Sequence, residues 1–281
     1  MITTTPPAGT IADLWTLDPR SDAARDRYQE YLSLLSSTEL QRMHRFVAPQ
    51  RRRVYVLGHG MARTALSARR QDVAPSDWQL GTAPGGRPTV HGPLAGGRAR
   101  AEELRLSLSH TDTLVACLVT NAGAGGVDVE TVDPGADVPA LAGMILTDLE
   151  RDRLNALPLR AQRVELFRYW TLKEAYGKAC GVGLSMPVRR HTFHLGGPAV
   201  VVQPPDRDTV ARGWSFSQWQ PADNQIIAVA LRAGSGPIQL SLRQPDRPTN
   251  SKPCSQNSAA EQVSATAVRP PIRYRAEQHA A

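Results

Sequence analysis

Two stretches of the sequence decide the predicted fold: Gly126-Val-Asp-Val-Glu130 and Trp170-Thr-Leu-Lys-Glu-Ala-Tyr-Gly-Lys178. The first alternates apolar and acidic residues, which is the pattern of a strand with one buried face. In the second, Trp170, Glu174 and Lys178 recur at every fourth position and therefore lie close together on one face of a helix. A strand with two acids is thus followed, about 40 residues later, by a helix with an acid and a base.

Helical and strand patterns follow one another on both sides of these stretches. The first half is predicted to contain a strand at 10–17, helices at 23–46 (with a break near 36–37) and 50–70, and strands at 104–109 and 113–120. The second half is predicted to contain a strand at 126–130, helices at 139–146, 147–157 and 158–180, and strands near 191–195, 199–203, 213–220 and 225–232. Thr147 and Glu150 have the spacing of a capping box. Helices plus antiparallel strands in each half predict the α+β class.

The charge differs between three regions of the chain. Residues 1–125, the N-terminal half, carry a net charge of +4, residues 126–234, the C-terminal half, are neutral, and residues 235–281 carry +3. The last region is rich in Pro, Ser, Gln and Ala without a sustained apolar period. We therefore expect a disordered basic tail at 235–281.

The composition excludes several classes of protein. The chain has 281 residues, 41% of them hydrophobic, which suffices for one large core or two smaller ones. It contains no run of about 18 apolar residues, so no membrane-spanning helix is predicted. The first residues lack the pattern of a secretory signal, and the three cysteines match neither a disulfide framework nor a zinc-site spacing. These features predict a cytoplasmic protein without a membrane partner.

The basic residues have an unusual composition. The net charge is +7, and of the 33 basic residues 30 are arginines and only three are lysines. Two of those lysines, Lys173 and Lys178, lie in the predicted helix at 158–180, which points to a chemical requirement there. A basic chain favours an acidic partner, such as a phosphorylated cofactor, an acidic protein or nucleic acid.

Asp128 and Glu130 are candidates for metal ligands. Residues two apart on a strand point to the same side, with their Cα atoms roughly 6–7 Å apart. Adjacent carboxylates repel each other unless a cation lies between them, and hard oxygen ligands suit Mg²⁺. Glu174 continues the apolar stripe of Leu166, Phe167 and Trp170, so its carboxylate needs a partner as well. A metal shared by the three acids meets that need, whereas the alternatives are a solvated strand face and an exposed Glu–Lys pair.

Other residues are candidates for binding phosphate. Clustered arginines form forked hydrogen bonds to phosphate, and one such cluster comprises Arg42, Arg45, Arg51, Arg52 and Arg53, although a solvated helix face explains it equally well. Arg87 stands beside Pro88 in a glycine-rich turn. Ser109 and His110 end a predicted strand, where their side chains are placed to donate hydrogen bonds to a ligand.

In combination these motifs resemble those of the 4′-phosphopantetheinyl transferases, of the larger, surfactin-synthetase-activating (Sfp-like) type. GVDVE at 126–130 and WTLKEAYGKACGVGLSMP at 170–187 resemble the paired signature of that family. GGRPTV at 85–90 resembles its Gly-Lys/Arg-Pro motif, and LSLSHT at 106–111 resembles its Phe-Asn-Leu-Ser-His-Ser strand. The order and spacing of all four agree, and the resemblance covers roughly residues 10–232.

The resemblance implies a fold and a reaction. The fold is two similar α+β halves related by a pseudo-twofold axis, with the active site in the cleft between them. In the reaction, the 4′-phosphopantetheine arm of coenzyme A moves to a serine of an acyl or peptidyl carrier protein, with Mg²⁺ as cofactor and 3′,5′-ADP as product. The partners implied are coenzyme A and an acidic carrier protein, not nucleic acid, and the protein is expected to be a monomer.

The resemblance also assigns roles to individual residues. It makes Asp128, Glu130 and Glu174 the Mg²⁺ ligands, and Glu174 and Lys178 the catalytic residues. Glu174 is the candidate base toward the serine, acting directly or through water, and Lys178 is expected to reach the phosphates. The expected contacts to coenzyme A are Arg42, Arg45, Arg87, Pro88, Ser109 and His110.

The sequence departs from the family pattern at several positions. Leu106-Ser107 replaces the usual Phe-Asn, Thr111-Asp112 follows where Ser-Gly is usual, and Glu39 falls where some relatives carry another basic residue. These departures leave the contacts to the 3′-phosphate open.

Two other functions remain open from the residues alone. One is a Mg²⁺-dependent nuclease or phosphodiesterase, which also combines acids with a lysine, although usually on strands. The other is a non-enzymatic, arginine-rich protein that binds anions.

Overall fold

The N-terminal half places three helices beside an antiparallel sheet. Its elements are β1 (Thr10–Leu17), α1 (Asp22–Ser33), α2 (Ser37–His44), α3 (Pro49–Arg69), a 3₁₀ helix (Pro75–Asp77), β2 (Gln79–Thr82), β3 (Pro88–His91), β4 (Arg105–His110) and β5 (Val115–Thr120). This computed structural model describes residues 9–83, 87–92, 104–121, 123–182, 190–195, 200–203, 213–222, 224–232, 237–245 and 272–275, of which 201 and 272–275 are described as backbone only.

The C-terminal half contains one long helix and a second sheet. Its elements are β6 (Ala124–Thr131), α4 (Val138–Ile145), α5 (Asp148–Asn155), α6 (Leu159–Cys180), β7 (Thr192–His194), β8 (Val201–Gln203), β9 (Trp214–Ala222) and β10 (Gln225–Arg232). Two further strands follow, β11 (Ile238–Arg243) and β12 (Ile272–Arg275). None of the helices in the described ranges is long and apolar enough to cross a membrane.

The two main sheets have four strands each. One has the order β11-β1-β5-β4 and the other β12-β9-β10-β6, and two further pairs are β2-β3 and β7-β8. All pairings are antiparallel except that of β1 with β11. The predicted α+β class, with antiparallel strands and packed helices, is therefore confirmed.

Local sequence signals explain where several helices begin. The Ser36 hydroxyl accepts a hydrogen bond from the amide of Glu39, whose side chain in turn accepts one from the Ser36 amide, so a capping box starts α2 at the predicted break. Thr147 and Glu150 form the predicted capping box of α5. The helix α6 ends at Cys180 and is capped by Gly181, whose φ of 76° is favourable for glycine.

Three clusters of buried side chains hold these layers together. One lies in the N-terminal half between β1, β4, β5 and the helices α1 and α3. A second surrounds Tyr176 in the C-terminal half, where Phe193, Trp214 and Phe216 pack around its ring. The third lies between the two sheets and includes Leu14, Leu118, Val127 and Val229. Because this third cluster draws side chains from both halves, apolar burial joins the halves into one body.

Two segments of residues 235–281, where the sequence predicts a disordered tail, form strands in the structure. Ile238–Arg243 forms β11, which pairs with β1, and Ile272–Arg275 forms β12, which pairs with β9. In the first segment Ile238 and Leu240 alternate with polar residues and pack against the cluster between the sheets. The edge of β1 supplies the backbone partners, so a six-residue alternation is enough for a strand here.

Candidate active site

The helix α6 lies directly against the strand β6, and a glycine makes this contact possible. A Cβ atom on Gly126 would lie 2.1 Å from the carbonyl oxygen of Ala175 and 2.5 Å from the amide nitrogen of Ala179. Any residue larger than glycine at this position therefore forces the helix away from the strand. The close approach brings the polar residues of the two predicted motifs together.

Asp128 is the centre of a hydrogen-bonded group. Its carboxylate is buried, and Oδ1 lies 2.7 Å from Nζ of Lys178 and accepts a hydrogen bond of 2.8 Å from the Ser109 hydroxyl. The Lys178 ammonium also approaches the carbonyl oxygen of Leu108 at 3.4 Å. The structure thus unites residues of β4, β6 and α6, which are up to 70 positions apart in the sequence.

The three predicted metal ligands influence one another's charge. Burial, and then repulsion by Asp128, raise the pKa of Glu130 to about 7. The same two causes raise the pKa of Glu174 to about 7, against the opposing effect of Lys178. Burial likewise raises the pKa of Asp128, although Lys178 and Ser109 favour its charged form. Asp128 thus disfavours the charged forms of Glu130 and Glu174, whereas Lys178 favours the charged forms of all three acids.

The chemistry of these acids fits a hard divalent cation. The Oδ2 atom of Asp128 is buried and has no hydrogen-bond partner among the described residues, which leaves a carboxylate oxygen available as a ligand. Within the same described part of the chain, no three acidic, histidine or cysteine side chains are close enough to form a metal cluster on their own. The acids thus supply suitable ligand atoms, but in the described residues these atoms are not arranged around a common metal position.

A cleft of about 350 Å³ opens beside this group. It is lined by six residues that the sequence predicted for the site: Arg42, Arg87, Pro88, Ser109, His110 and Lys178. Arg45 caps the C-terminal end of α2 and is not part of the lining, and neither are Asp128, Glu130 and Glu174. Gly85 and Gly86, which precede Arg87 in the predicted motif, lie outside the described residues.

The wall of the cleft also contains residues that the sequence did not reveal. Phe46, Tyr55 and His59 form an aromatic row, with ring centroids 5.4 Å apart for the first pair and 4.1 Å for the second. Burial, followed by the electrostatic effects of Lys178 and His59, lowers the pKa of His110. Tyr55 and His59 lie one turn apart on the amphipathic helix α3. Residues that line a cleft and residues that pack into a core have the same spacing on such a helix, so the sequence did not identify these two as cleft residues.

Comparison with known proteins identifies the family. Residues 124–230, which include Asp128, Glu130, Glu174 and Lys178, match the family model described as the 4′-phosphopantetheinyl transferase superfamily. Over 215 residues the chain is 32% identical to the 4′-phosphopantetheinyl transferase HetI of Nostoc sp., and the match covers 76% of this chain and 85% of that protein. The chain belongs to the 4′-phosphopantetheinyl transferase superfamily.

Two further relatives agree with this conclusion. A phosphopantetheinyl transferase of Thraustochytrium sp. is 27% identical over 241 residues, which are 80% of each chain. The 4′-phosphopantetheinyl transferase of Bacillus subtilis is 23% identical over 177 residues, or 63% of this chain and 72% of that protein. The predicted family and the prediction of an enzyme are thus confirmed, and the nuclease and the anion-binding protein are no longer favoured.

Two arginines of the cluster at 42–53 have a structural role in this transferase. Arg52 donates a hydrogen bond of 2.6 Å to the Phe46 carbonyl, and Arg53 donates one of 2.7 Å to the Pro19 carbonyl. Of the five arginines in the cluster, Arg42 lines the cleft. The guanidinium groups of Arg52 and Arg53 therefore fix loops instead of facing the cleft.

Glu39 has a structural role in the transferase. Its carboxylate lies 2.7 Å from Nδ1 of His59 and accepts hydrogen bonds of 2.6 Å from Arg63 and 2.8 Å from the Ser36 amide. Burial alone raises the pKa of Glu39, but these partners outweigh burial and lower it to about 2. The Glu39 carboxylate is thus buried and paired.

The two lysines of α6 lie in different surroundings. Lys173 is buried, and its ammonium lies 2.8 Å from both the Glu150 carboxylate and the His191 carbonyl. Glu150 is also buried and accepts a hydrogen bond from the Phe193 amide. Lys173 therefore ties α6 to α5 and β7, whereas Lys178 faces the cleft.

Proposed function

We propose that this enzyme transfers the 4′-phosphopantetheine arm of coenzyme A to a serine of an acyl or peptidyl carrier protein, in a Mg²⁺-dependent reaction that releases 3′,5′-ADP. We further propose that it belongs to the larger, Sfp-like type, acts as a monomer and is cytoplasmic. The observation that carries the proposal is the position of Lys178, which lines the cleft and at the same time pairs with the buried Asp128. One end of the cleft thus borders the acidic group.

The lining of the cleft suits the nucleotide portion of coenzyme A. Arg42, Arg87 and Lys178 supply fixed positive charges, and arginine forks match phosphate oxygens geometrically. Phe46, Tyr55 and Leu80 supply apolar and aromatic surface for the adenine ring. Arg45 is exposed on the last turn of α2, from where its charge attracts an anionic ligand without lining the cleft.

The proposed step exchanges one phosphorus–oxygen bond for another. The serine oxygen of the carrier forms a bond to the β-phosphorus of the pyrophosphate, and the bond from that phosphorus to the bridging oxygen breaks. The bridging oxygen leaves with 3′,5′-ADP, and the serine proton passes to a base. Lys178, as a compact cation beside the phosphates, stabilises the charge that develops on the leaving oxygen.

Glu174 is the proposed base. Its side chain is half-buried on the same face of α6 as Lys178, so it is more accessible to an incoming hydroxyl than the buried Asp128. A carboxylate has two oxygens, and one of them can accept the proton, directly or through a water, while the other is a metal ligand.

Asp128, Glu130 and Glu174 are the proposed ligands of Mg²⁺. When bound, the ion neutralises pyrophosphate charge and orients the two phosphates. The hydrogen bonds from Ser109 and Lys178 hold one oxygen of Asp128, so its unpaired Oδ2 is the oxygen that remains for the metal.

The charge distribution favours an acidic carrier protein. Residues 1–125 carry a net charge of +4, although two arginines of the 42–53 cluster are committed to loop carbonyls. Arg42, which lines the cleft, and Arg45, three residues further along the chain, are both exposed. Exposed positive charge accelerates the encounter with an acidic partner.

A mass-shift assay tests this proposal. The full-length protein is incubated with coenzyme A, MgCl₂ and a panel of apo-carrier proteins from fatty-acid, polyketide and peptide synthesis, and the carriers are weighed by mass spectrometry. We expect one or more carriers to gain the mass of one phosphopantetheine arm and 3′,5′-ADP to appear in equal amount. The Asp128→Ala variant is expected to give no shift, and Lys173→Arg serves as a variant outside the cleft.

The controls separate the parts of the proposal. Omission of Mg²⁺, with EDTA present, tests the metal dependence, and a serine-to-alanine carrier tests the acceptor atom. Absence of any shift across the whole panel with wild-type protein contradicts the proposed substrates. Transfer at the wild-type rate by Asp128→Ala contradicts the assignment of the acidic group.

A further inference from the structure

The strands β4 and β6 meet at the edges of their two sheets. β4 is the last strand of the sheet β11-β1-β5-β4, and β6 is the last strand of the sheet β12-β9-β10-β6. Among the described strands, these two form no backbone ladder with each other. An edge strand directs every second amide away from its own sheet, and a buried amide needs an acceptor.

Two serine hydroxyls take the place of that ladder. The Ser107 hydroxyl accepts a hydrogen bond of 3.1 Å from the Val127 amide, and the Ser109 hydroxyl accepts one of 3.3 Å from the Val129 amide. The two serines are two residues apart on β4, and the two valines are two residues apart on β6. The spacing of the hydroxyls therefore matches the spacing of the amides that point away from the sheet of β6. We call this set of Ser107, Ser109, Val127 and Val129 the hydroxyl seam.

The hydroxyl seam lies at the reacting end of the cleft. Ser107 is buried and lines the cleft. Its hydroxyl accepts from the residue before Asp128, and the Ser109 hydroxyl accepts from the residue after Asp128. The seam therefore brackets Asp128 along the strand. The other face of β4, with Leu106 and Leu108, packs into the core of the N-terminal half.

We propose that Ser107 is a positioning residue of the transferase, whose hydroxyl sets the placement of β6 and Asp128 relative to the ligand-binding face of β4. This inference rests on the proposed function, because it concerns the same cleft. His110 and Arg87 belong to the N-terminal half, whereas the acidic group belongs to β6 and α6. The contact between β4 and β6 therefore fixes the distance from a ligand held by His110 and Arg87 to the acidic group.

The seam also explains why a serine suits position 107. A hydroxyl is short, and it can accept from an amide while its own proton bonds elsewhere. Alanine at this position leaves the buried Val127 amide without its acceptor, and the strand shifts to find another. A displacement of about 1 Å at a reacting centre lowers the rate by roughly a hundredfold.

The experiment compares Ser107→Ala, Ser107→Cys and Ser107→Thr with the wild-type protein. Alanine removes the acceptor, cysteine keeps similar bulk with a poor acceptor, and threonine keeps the hydroxyl. The matched control is Ser21→Ala, because the Ser21 hydroxyl also accepts from a backbone amide, that of Ala24 at 3.1 Å, but caps α1 away from the cleft. Ser107 is chosen over Ser109 because Ser109 is itself a proposed contact of coenzyme A.

Two readouts are measured on each full-length protein. Amide hydrogen exchange is expected to show that Val127 exchanges at least about tenfold faster in Ser107→Ala and Ser107→Cys, while Val229 on β10 is unchanged. In carrier modification, kcat is expected to fall about ten- to a hundredfold with the KM for coenzyme A within about twofold. Threonine is expected to restore both quantities, and Ser21→Ala to leave both at their wild-type values.

The outcomes distinguish the positioning role from the alternatives. Unchanged Val127 exchange in Ser107→Ala contradicts the bond, and faster exchange with wild-type kcat reduces the seam to a structural feature. A rise in KM with kcat unchanged makes Ser107 a binding residue, which also overturns the proposal. Failure of the proposed function has a different signature, because the wild-type protein then transfers no arm to any carrier.

Discussion

The ammonium of Lys178 lies 2.7 Å from Oδ1 of Asp128, and this contact joins the helix α6 to the strand β6 inside the candidate site. The side chain of Asp128 is 5% exposed, whereas that of Lys178 is 27% exposed, so the lysine reaches both the buried acid and the cleft. A charge in this position has two separable effects, one on stability and one on catalysis.

Replacement of Lys178 separates these two effects. Lys178→Met leaves a buried carboxylate without its counter-ion, which is expected to lower the free energy of unfolding by about 3 kcal/mol. It is also expected to lower kcat by about 10²–10³-fold, because a cation beside the phosphates is lost. Urea unfolding and the carrier mass-shift assay measure the two quantities.

The double variant Asp128→Asn/Lys178→Met completes this test. The double variant no longer contains a buried, unpaired carboxylate, so we expect most of the stability to return. We expect its activity to be no higher than that of Lys178→Met. A double variant that regains activity contradicts the catalytic role of the pair, and one that remains as unstable as Lys178→Met contradicts the ion pair.

Gly126 controls the distance between α6 and β6. Gly126→Ala places a methyl group 2.1 Å from the Ala175 carbonyl oxygen, so the helix has to shift and Lys178 moves away from Asp128. We expect a loss of about 1–3 kcal/mol in stability, as for other overpacked sites, together with a lower kcat. Thermal unfolding and the transfer assay measure both effects.

Gly143 offers a matched control for this substitution. It lies inside α4, and among the described residues no atom outside this stretch of the helix lies within 4 Å of the position that its Cβ would occupy. Gly143→Ala is expected to raise stability by about 0.4–1 kcal/mol, because alanine restricts the unfolded chain. Equal effects of the two substitutions would show that the contact of α6 with β6 is not tight at Gly126.

Local patterns predicted most of the secondary structure because their causes are local. The strand β1 has its predicted bounds, Thr10–Leu17, and the capping residues Ser36 and Thr147 begin helices where the sequence indicated. Hydrogen bonds between residues three apart determine such ends, so a short window of sequence contains the necessary information.

The partners of polar residues could not be predicted in the same way. The alternation of Leu106 and Leu108 with Ser107 and Ser109 indicates a strand with one polar face, but solvent and another strand are equally compatible with it. In the structure that face meets β6. Tertiary packing decides between the two, and it depends on residues about 20 positions away along the chain.

The two lysines of α6 show the same limit. Their scarcity indicated a chemical role for both, yet Lys173 is bonded to Glu150 in the interior. A helix turns by 100° per residue, so a difference of five positions places two side chains on different faces, and the sequence does not specify which face meets the cleft.

The Lys173–Glu150 pair is expected to affect stability without affecting catalysis. Lys173→Met leaves the buried Glu150 carboxylate unpaired and is expected to cost about 3–5 kcal/mol in unfolding free energy. The double variant Lys173→Met/Glu150→Gln is expected to recover much of this loss, since glutamine also serves at the third position of a capping box. Active-site titration then gives kcat per folded molecule, which we expect to match the wild type.

This prediction contrasts directly with that for Lys178. A fall in kcat per folded molecule of tenfold or more in the double variant would place Lys173 in the catalytic machinery and contradict its structural assignment.

Glu39 predicts how stability changes in acid. Its pKa is about 2 in the folded protein, against an ordinary value of 4.5, because bonds from His59, Arg63 and Ser36 outweigh the effect of burial. A carboxyl group whose pKa is lower in the folded than in the unfolded protein stabilises the fold at any pH above its unfolded pKa. This stabilisation is lost as the pH falls toward the folded pKa. Glu39 is therefore expected to contribute up to about 3 kcal/mol above pH 5, a contribution that declines between about pH 4.5 and pH 2.

Comparison of the wild-type protein with Glu39→Gln measures this contribution. Glutamine keeps the shape of the side chain but has no charge for Arg63, so the difference in unfolding free energy is expected to be largest near neutral pH and to shrink as the pH falls below about 4.5. Urea unfolding from pH 7 to the lowest pH at which the variant folds provides the curve. Because Glu39 is the only group changed, a difference that is independent of pH would mean that its carboxylate titrates alike in the folded and unfolded chains, contrary to the buried pairing with Arg63.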